Sequence, residues 1–542
     1  MADQTFDAVI VGGGNKALIT AVYLARYGGM EVGIFERRNE LGGGWASEEA
    51  SAPGFIGNPH ATVITPAYNI PVEWDFPELN DYLKYIPYPI SQGAAFHDGT
   101  GFAVHHELID PDQEKTAKSF ERLSAKDAET YLRLYREHQE HIAPARLQNY
   151  FNPPTPEGVP SPFEKLIIEK KTGWDPAWTF KSELEVLRDL FENDKIIGAM
   201  MRGGYSSHGC DPEMPGTGLR YFGLLGPLLG SGCWEGGTHS AAHAFHKILV
   251  HNGGKTFTRN EVDKILIENG KATGIRLDDG TEIAARKLVL STLDPYNLCF
   301  RLLGGNEHVS ERILRRVAHL VRWQVCITWY SWALRERPRY AASSFEPDID
   351  EAGWLSVGAE DPAKLRRNHA WRRLGKVDPD LNLILWQHTL IDPTQAPEGR
   401  TVCGTEDFVP PANALSEKEW LAFKKSHAEQ VMEVWHEFAP NMTWDNVIGY
   451  SPETPYDVCR LKNMAPYGNW AVIDHVPGQM GRNRPIPELA FYKVPNIKGV
   501  YCTGSAWHPT AGARSCQAYN CYKVIAEDYD LEKPWEVDGR PF

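Results

Sequence analysis

The apolar positions of this chain switch between two periods, and each switch marks an element. Phe6 to Val11 is a continuous apolar run with β-branched residues at its end, the pattern of a strand buried on both faces. Leu18, Val22 and Ala25 then fall on one face of a helix. "MEVGIF" supplies a second buried strand that ends at Glu36. Further on, Cys233 to Pro295 reads as glycine loop, helix, strand, hairpin, strand. Within it, "ENGKATGIRLDDGTEI" predicts an antiparallel ribbon, with Asn269-Gly270 and Asp279-Gly280 as turn dipeptides. "LVLSTLDP" then rejoins a parallel sheet. Near the C-terminus Val500 to Thr503 is a short strand, followed by a turn at Gly504 and a helix.

The turn after the first strand carries chemistry. Gly12, Gly14 and Ala17 fit G-x-G-x-x-G/A. Gly12 permits the tight turn, Gly14 lets a pyrophosphate approach the backbone, and Ala17 keeps the helix close to the sheet. Glu36 stands at the end of the second strand, where a carboxylate accepts hydrogen bonds from an adenosine ribose. The complete strand-turn-helix-strand-Glu unit predicts dinucleotide binding. Lys16 occupies a place where small residues are commoner. It is read either as a cation beside the pyrophosphate or as a solvated side chain. Four residues after Glu36 a second glycine cluster begins, with Leu41, Gly42, Gly43 and Gly44.

Composition narrows the classes. A chain of 542 residues exceeds one ordinary domain. Its formal charge of −15 disfavours nucleic acid and anionic membrane surfaces as partners. The start, "MADQTFDAVIV", does not read as a signal peptide. No segment approaches the roughly 18 apolar residues of a membrane helix. "YFGLLGPLLG" (Tyr221 to Gly230) is read as a buried loop, with a shallow peripheral membrane or lipid contact as the alternative. Nine scattered cysteines without a CxxC pair suggest neither a disulfide framework nor a zinc site, so the expected compartment is the cytoplasm.

Around the second glycine cluster, "ERRNELGGGWASEEASAPGFIGNPHA" resembles the phytoene-desaturase or phytoene-dehydrogenase-related flavoproteins, relatives of the amine oxidases. The resemblance extends to the Cys233–Pro295 block, to "DPTQAPEGR" and "SPETPYDV", and to "RPIPELAFYKVPNIKGVYCTGSAWHPTAGARSCQAYNCYKVIAEDY". It implies an α/β fold: a Rossmann-like FAD-binding domain assembled from residues 1–65, 200–300 and 480–542. An inserted α+β substrate domain would take 66–199 and 301–479. The cofactor implied is noncovalent FAD. Its expected contacts are Gly12, Gly14, Ala17, Glu36, Arg37, Gly43, Gly44 and Trp45 from the first segment. Val262 would hold the adenine through its backbone, and Gly504, Ser505, Gly512 and Ala513 would face the flavin end. Relatives carry a basic residue after the glycine pair where this chain has Gly44 and Trp45, so Arg37 or Arg38 is expected to supply that charge.

In those relatives His60, His208, His239 and His508 would lie in segments that approach the flavin, which makes each a candidate acid or base. His239, His243 and His246 share a helical spacing, read as a polar face and not as a metal site. The insert is rich in aromatics, including Trp323, Trp329, Trp332, Trp354, Trp371 and Trp386, suited either to the core or to an apolar substrate pocket. The expected activity is an FAD-dependent dehydrogenase or desaturase acting on an apolar, terpenoid or cyclic alkene-like substrate. A quinone, an electron carrier or oxygen would then reoxidise the flavin. A redox-neutral isomerase or hydratase, an amine oxidase and a non-catalytic flavin-fold protein remain as alternatives.

Overall fold

The structure is a computed structural model and describes residues 4–65, 69–220, 230–537 and 539–542. The stretch Tyr221 to Gly230 lies, apart from its last residue, outside the described residues.

Two seven-stranded sheets organise the chain. In the first, the path runs 262–268, 271–277, 282–291, 4–11, 32–36, 255–258, and the strand Val500–Cys502 pairs with the 282–291 strand. The strand Gln4–Val11 lies parallel to both of its neighbours. The ribbon 262–291 is antiparallel, as its turn dipeptides require, with Asn269, Gly270 and Gly280 all at positive φ. The central strands read as unbroken apolar runs because the helices Asn15–Arg26, His239–His251 and Cys516–Tyr529 share their core. Val9, Ile10, Leu288, Val289 and Leu290 are fully enclosed there. This is the doubly wound, Rossmann-like α/β arrangement.

The second sheet is ordered 447–453, 327–334, 401–408, 384–386, 354–357, 90–95, 101–105. It is antiparallel apart from the pair 354–357 and 90–95. One of its cores gathers Trp329, Trp354 and Trp386 with the helix Asp194–His208, and the other packs Trp332 against Trp435 of the helix Glu417–Phe438. The helix Asp194–His208 therefore packs with the second sheet, although its C-terminal half falls within the segment expected to serve the cofactor. Among the described residues, no helix is long and apolar enough to cross a membrane.

Candidate functional site

The two glycine clusters form one object. The Gly42 amide donates to the Gly13 carbonyl at 2.8 Å, and Gly14 bridges Gly42. A Cβ on Gly43 would stand 3.0 Å from the Gly14 Cα, and one on Gly13 would stand 2.5 Å from Leu41 Cδ2. Side chains are excluded because two backbone turns stack on each other. The Gly13 amide also donates to Glu36 Oε2 at 2.6 Å, and the Arg38 amide to Glu36 Oε1 at 2.8 Å. The carboxylate at the strand end thus ties the first glycine turn to the backbone that follows its own strand.

An open cleft lies beside this object. Gly12, Gly14, Glu36, Arg37, Gly43, Gly44, Val262, Gly504, Ser505, Gly512 and Ala513 all line it. The helix Asn15–Arg26 begins at its edge without a side-chain cap or an acid in its first turn, which leaves amide donors for an anion. Cations gather in the same walls: Lys16, Arg37, Arg38, Arg301, Arg322 and Lys462. In a chain of charge −15 such a concentration suits a pyrophosphate. Arg301 donates to the Val262 carbonyl at 2.8 Å.

Lys16 does not point into solvent. It is buried, donates to the Gly512 carbonyl, and so joins the first glycine turn to the last. Burial lowers its pKa to about 7, with Cys516 opposing and Arg514 reinforcing the shift. Arg37 reaches the Arg460 carbonyl, and Arg38 pairs with Glu40. A cation that the sequence reading missed is Lys462, at the end of the helix Pro455–Lys462, which donates to the Gly43 carbonyl at 3.1 Å.

Two expected contacts lie elsewhere. Ala17 is enclosed beneath its helix, as its packing role requires. Trp45 does not line the cleft. Gly42 and Gly43 take φ of 113° and 58°, and Trp45 packs in the core stacked on Phe245 with Trp234 at its edge.

Of the four histidines, the structure brings His60 to the cleft and turns three away. His508 is buried with Nε2 2.8 Å from the Asn149 carbonyl, and burial lowers its pKa to about 4. His239 Nδ1 lies 2.8 Å from the Trp45 carbonyl. His208 pairs with Glu183 at 3.0 Å; burial acts to lower its pKa, but the carboxylate prevails and raises it to about 9. His246 turns to the Thr256 hydroxyl, and the exposed His243 packs edge to face on His239 with ring centroids 4.5 Å apart.

The end of the cleft around His60 is apolar and aromatic. Trp329, Val458, Leu461, Met464, Ala465 and Trp470 line it. Of the other tryptophans, Trp354 stacks on Trp386 with centroids 5.4 Å apart, Trp332 is fully buried, Trp371 is partly exposed, and Trp323 packs beside His369. His60 meets Trp329 edge to face at 4.9 Å, and its Nε2 lies 3.3 Å from Glu453 Oε1. Burial, with Lys462 and Arg38 nearby, lowers the His60 pKa well below the ordinary value. Burial raises that of Glu453 to about 8.

Comparison with known proteins agrees with this geometry. Residues 10–86 match the NAD(P)-binding Rossmann-like domain. A subunit of limonene dehydrogenase from Castellaniella defragrans is 26% identical over 98% of this chain and 96% of its own. The neurosporene-forming phytoene desaturase of Cereibacter sphaeroides is 27% identical over 51% of this chain and 50% of its own. The chain is similar to limonene dehydrogenase and phytoene desaturase. The structure of an oxidoreductase from Methanosarcina mazei superposes with a TM-score of 0.61 at 17% identity, covering 96% of this chain and 99% of that one, which shows the shared fold. The glycine cradle, the cations and the aromatic residues occupy one cleft.

Proposed function

We propose that the protein is an FAD-dependent oxidoreductase of the dehydrogenase or desaturase type, acting on an apolar, terpenoid or cyclic alkene-like substrate. The observation that carries this reading is the continuity of the cleft, which joins a dinucleotide cradle to an aromatic wall. Gly12 to Lys16, Glu36, Gly43, Gly44 and Val262 would hold the nucleotide half of FAD, and Gly504 to Ala513 the flavin half. The cofactor would be held noncovalently. When bound, FAD would accept a hydride from a substrate carbon, and a quinone, electron carrier or oxygen would reoxidise it. The chain would orient the substrate against Trp329 and Trp470, whose ring centroids lie 6.5 Å apart. Limonene dehydrogenase and phytoene desaturase, by their names, act on hydrocarbons of this class, and the tryptophans Trp329 and Trp470 in the cleft lining fit such a substrate.

Purified protein should be yellow and release FAD on denaturation. A colourless protein that FAD cannot reconstitute would overturn the assignment. Bleaching of the flavin by limonene or phytoene without oxygen marks net oxidation, whereas turnover without bleaching would favour the redox-neutral alternative.

A further inference from the structure

Resting on the dehydrogenase reading, we propose that His60 is the catalytic residue that accepts the substrate proton, and that Glu453 behind it is its positioning residue. His60 is the one histidine among the described residues that line the cleft. Its ring is fixed on one side by the Trp329 edge and on the other by Glu453. Nε2 is enclosed 3.3 Å from Glu453 Oε1, close but short of hydrogen-bond geometry, with no other partner for either atom, and Nδ1 is the nitrogen that remains for the cleft. Glu453 ends the strand Val447–Glu453, next to Thr454, the N-cap of the helix Pro455–Lys462. Lys462 at the other end of that helix holds the Gly43 carbonyl. The short segment 453–462 therefore couples the aromatic wall to the glycine turn.

Dehydrogenation removes two hydrogens from adjacent carbons. One C–H bond breaks with its electron pair leaving as hydride to FAD. The other breaks heterolytically: its pair becomes the new C=C bond and its proton goes to His60 Nδ1. The imidazolium formed keeps Nε2–H against Glu453, and the proton later leaves to water. An acceptor must be neutral beforehand. His60 is neutral because it is buried and because Lys462 and Arg38 face it. Glu453 is held protonated mainly by burial, reinforced by Glu48 and Asp457 and opposed by Lys462 and Lys424. Its ionisation on the alkaline side favours the Nε2–H tautomer and steadies the imidazolium. Proton abstraction should therefore accelerate as pH rises through the Glu453 value.

The test uses FAD-loaded protein in two arms. In the first, nitrogen NMR follows His60 in the resting protein from about pH 6 to about pH 9.5, against Glu453→Gln. The parent should show an alkaline inflection that the variant lacks; identical curves would overturn the pairing. In the second, anaerobic bleaching by limonene, and separately by phytoene, is timed over the same range. His60→Ala should retain FAD and slow bleaching by about 10²–10⁴-fold. Glu453→Gln should retain FAD and lose the alkaline rise. Bleaching by His60→Ala within about twofold of the parent would overturn the proton-acceptor role. A parent that holds FAD and is bleached by neither hydrocarbon would overturn the dehydrogenase reading and that role together. The NMR arm would still decide whether the couple exists.

Discussion

The two sheets differ in what they do with buried polar groups. Around the first sheet the core mixes aliphatic residues with aromatics such as Trp45 and Phe245, and the buried polar side chains Asn15 and Lys16 stand at the cleft. In the second sheet charge is built into the scaffold. Arg202, fully enclosed on the helix Asp194–His208, reaches Glu406 on the strand Thr401–Phe408 at 3.4 Å and the Asn382 carbonyl at 2.8 Å. Arg372 is tied to Tyr205 and to the Gln324 carbonyl, and Asp407 faces His427 at 3.3 Å. At its cleft the first region leaves the helix Asn15–Arg26 uncapped toward a ligand; away from the cleft it too ties its scaffold with buried charge, as Asp75 does with Tyr23 and Arg540. Substitutions should then separate cofactor retention from stability.

The largest effect is expected in the second region. Arg202→Ala leaves the Glu406 carboxyl buried without its cation. Such breakage costs about 3–5 kcal/mol, because the remaining charge is uncompensated. A marked fall in the denaturation midpoint should follow, and Arg202→Met combined with Glu406→Leu should recover most of it. An unchanged midpoint in Arg202→Ala would show that the ion pair does not hold the helix.

The next contrast is in pH. His508, beside the first sheet, is depressed from 6.5 to about 4. Its contribution is present above pH 6.5 and is lost as pH falls through 4, because the unfolded chain takes up the proton first. His208, in the second region, is raised from 6.5 to about 9. Its contribution is present below pH 6.5 and is lost as pH rises through 9. Each shift is worth at most about 3 kcal/mol. His508→Gln should therefore flatten the acid limb of a melting temperature against pH curve, and His208→Gln the alkaline limb. Interchanged limbs would mean that the two environments have been assigned in reverse.

The same contrast explains what could be read from sequence. The strands, the ribbon and the glycine turns are local: a positive φ, a period of two and a β-branched run each leave a mark at the residue concerned. The fold class and most of the cleft's glycines followed from them. Trp45 did not, because two left-handed glycines redirect the chain into the core. Lys462 and Glu453 did not either. Their place depends on a helix that returns more than 400 residues after the glycine turn, and nothing in a sequence tells a buried lysine from a solvated one. His60 was indistinguishable from the other three histidines until partners were visible: backbone carbonyls claim His239 and His508, and an ion pair claims His208.

The smallest effect, and the one that tests the cradle most directly, is at Gly14. A Cβ there meets nothing within 4 Å, and the residue's φ of −69° suits any side chain. Gly12 is different: its φ is 88° and its Cβ would stand 2.7 Å from Thr292 Oγ1, so a substitution there damages fold and site at once. Gly14→Ala should thus leave the melting temperature of the cofactor-free protein unchanged. The new methyl group projects into the cleft, where a pyrophosphate must approach the backbone for the amides at the start of the helix to reach it. A misfit of this kind is expected to cost about 1–3 kcal/mol of binding, roughly a tenfold to hundredfold loss of FAD affinity. Titration of cofactor-free protein with FAD, beside a thermal melt, reads the two quantities separately. If Gly14→Ala binds FAD as tightly as the parent, the open space at Gly14 is not where the pyrophosphate lies. If instead it melts early without FAD, Gly14 serves the fold, and the division between a ligand-directed cleft and a self-satisfied second region fails at its most exposed point.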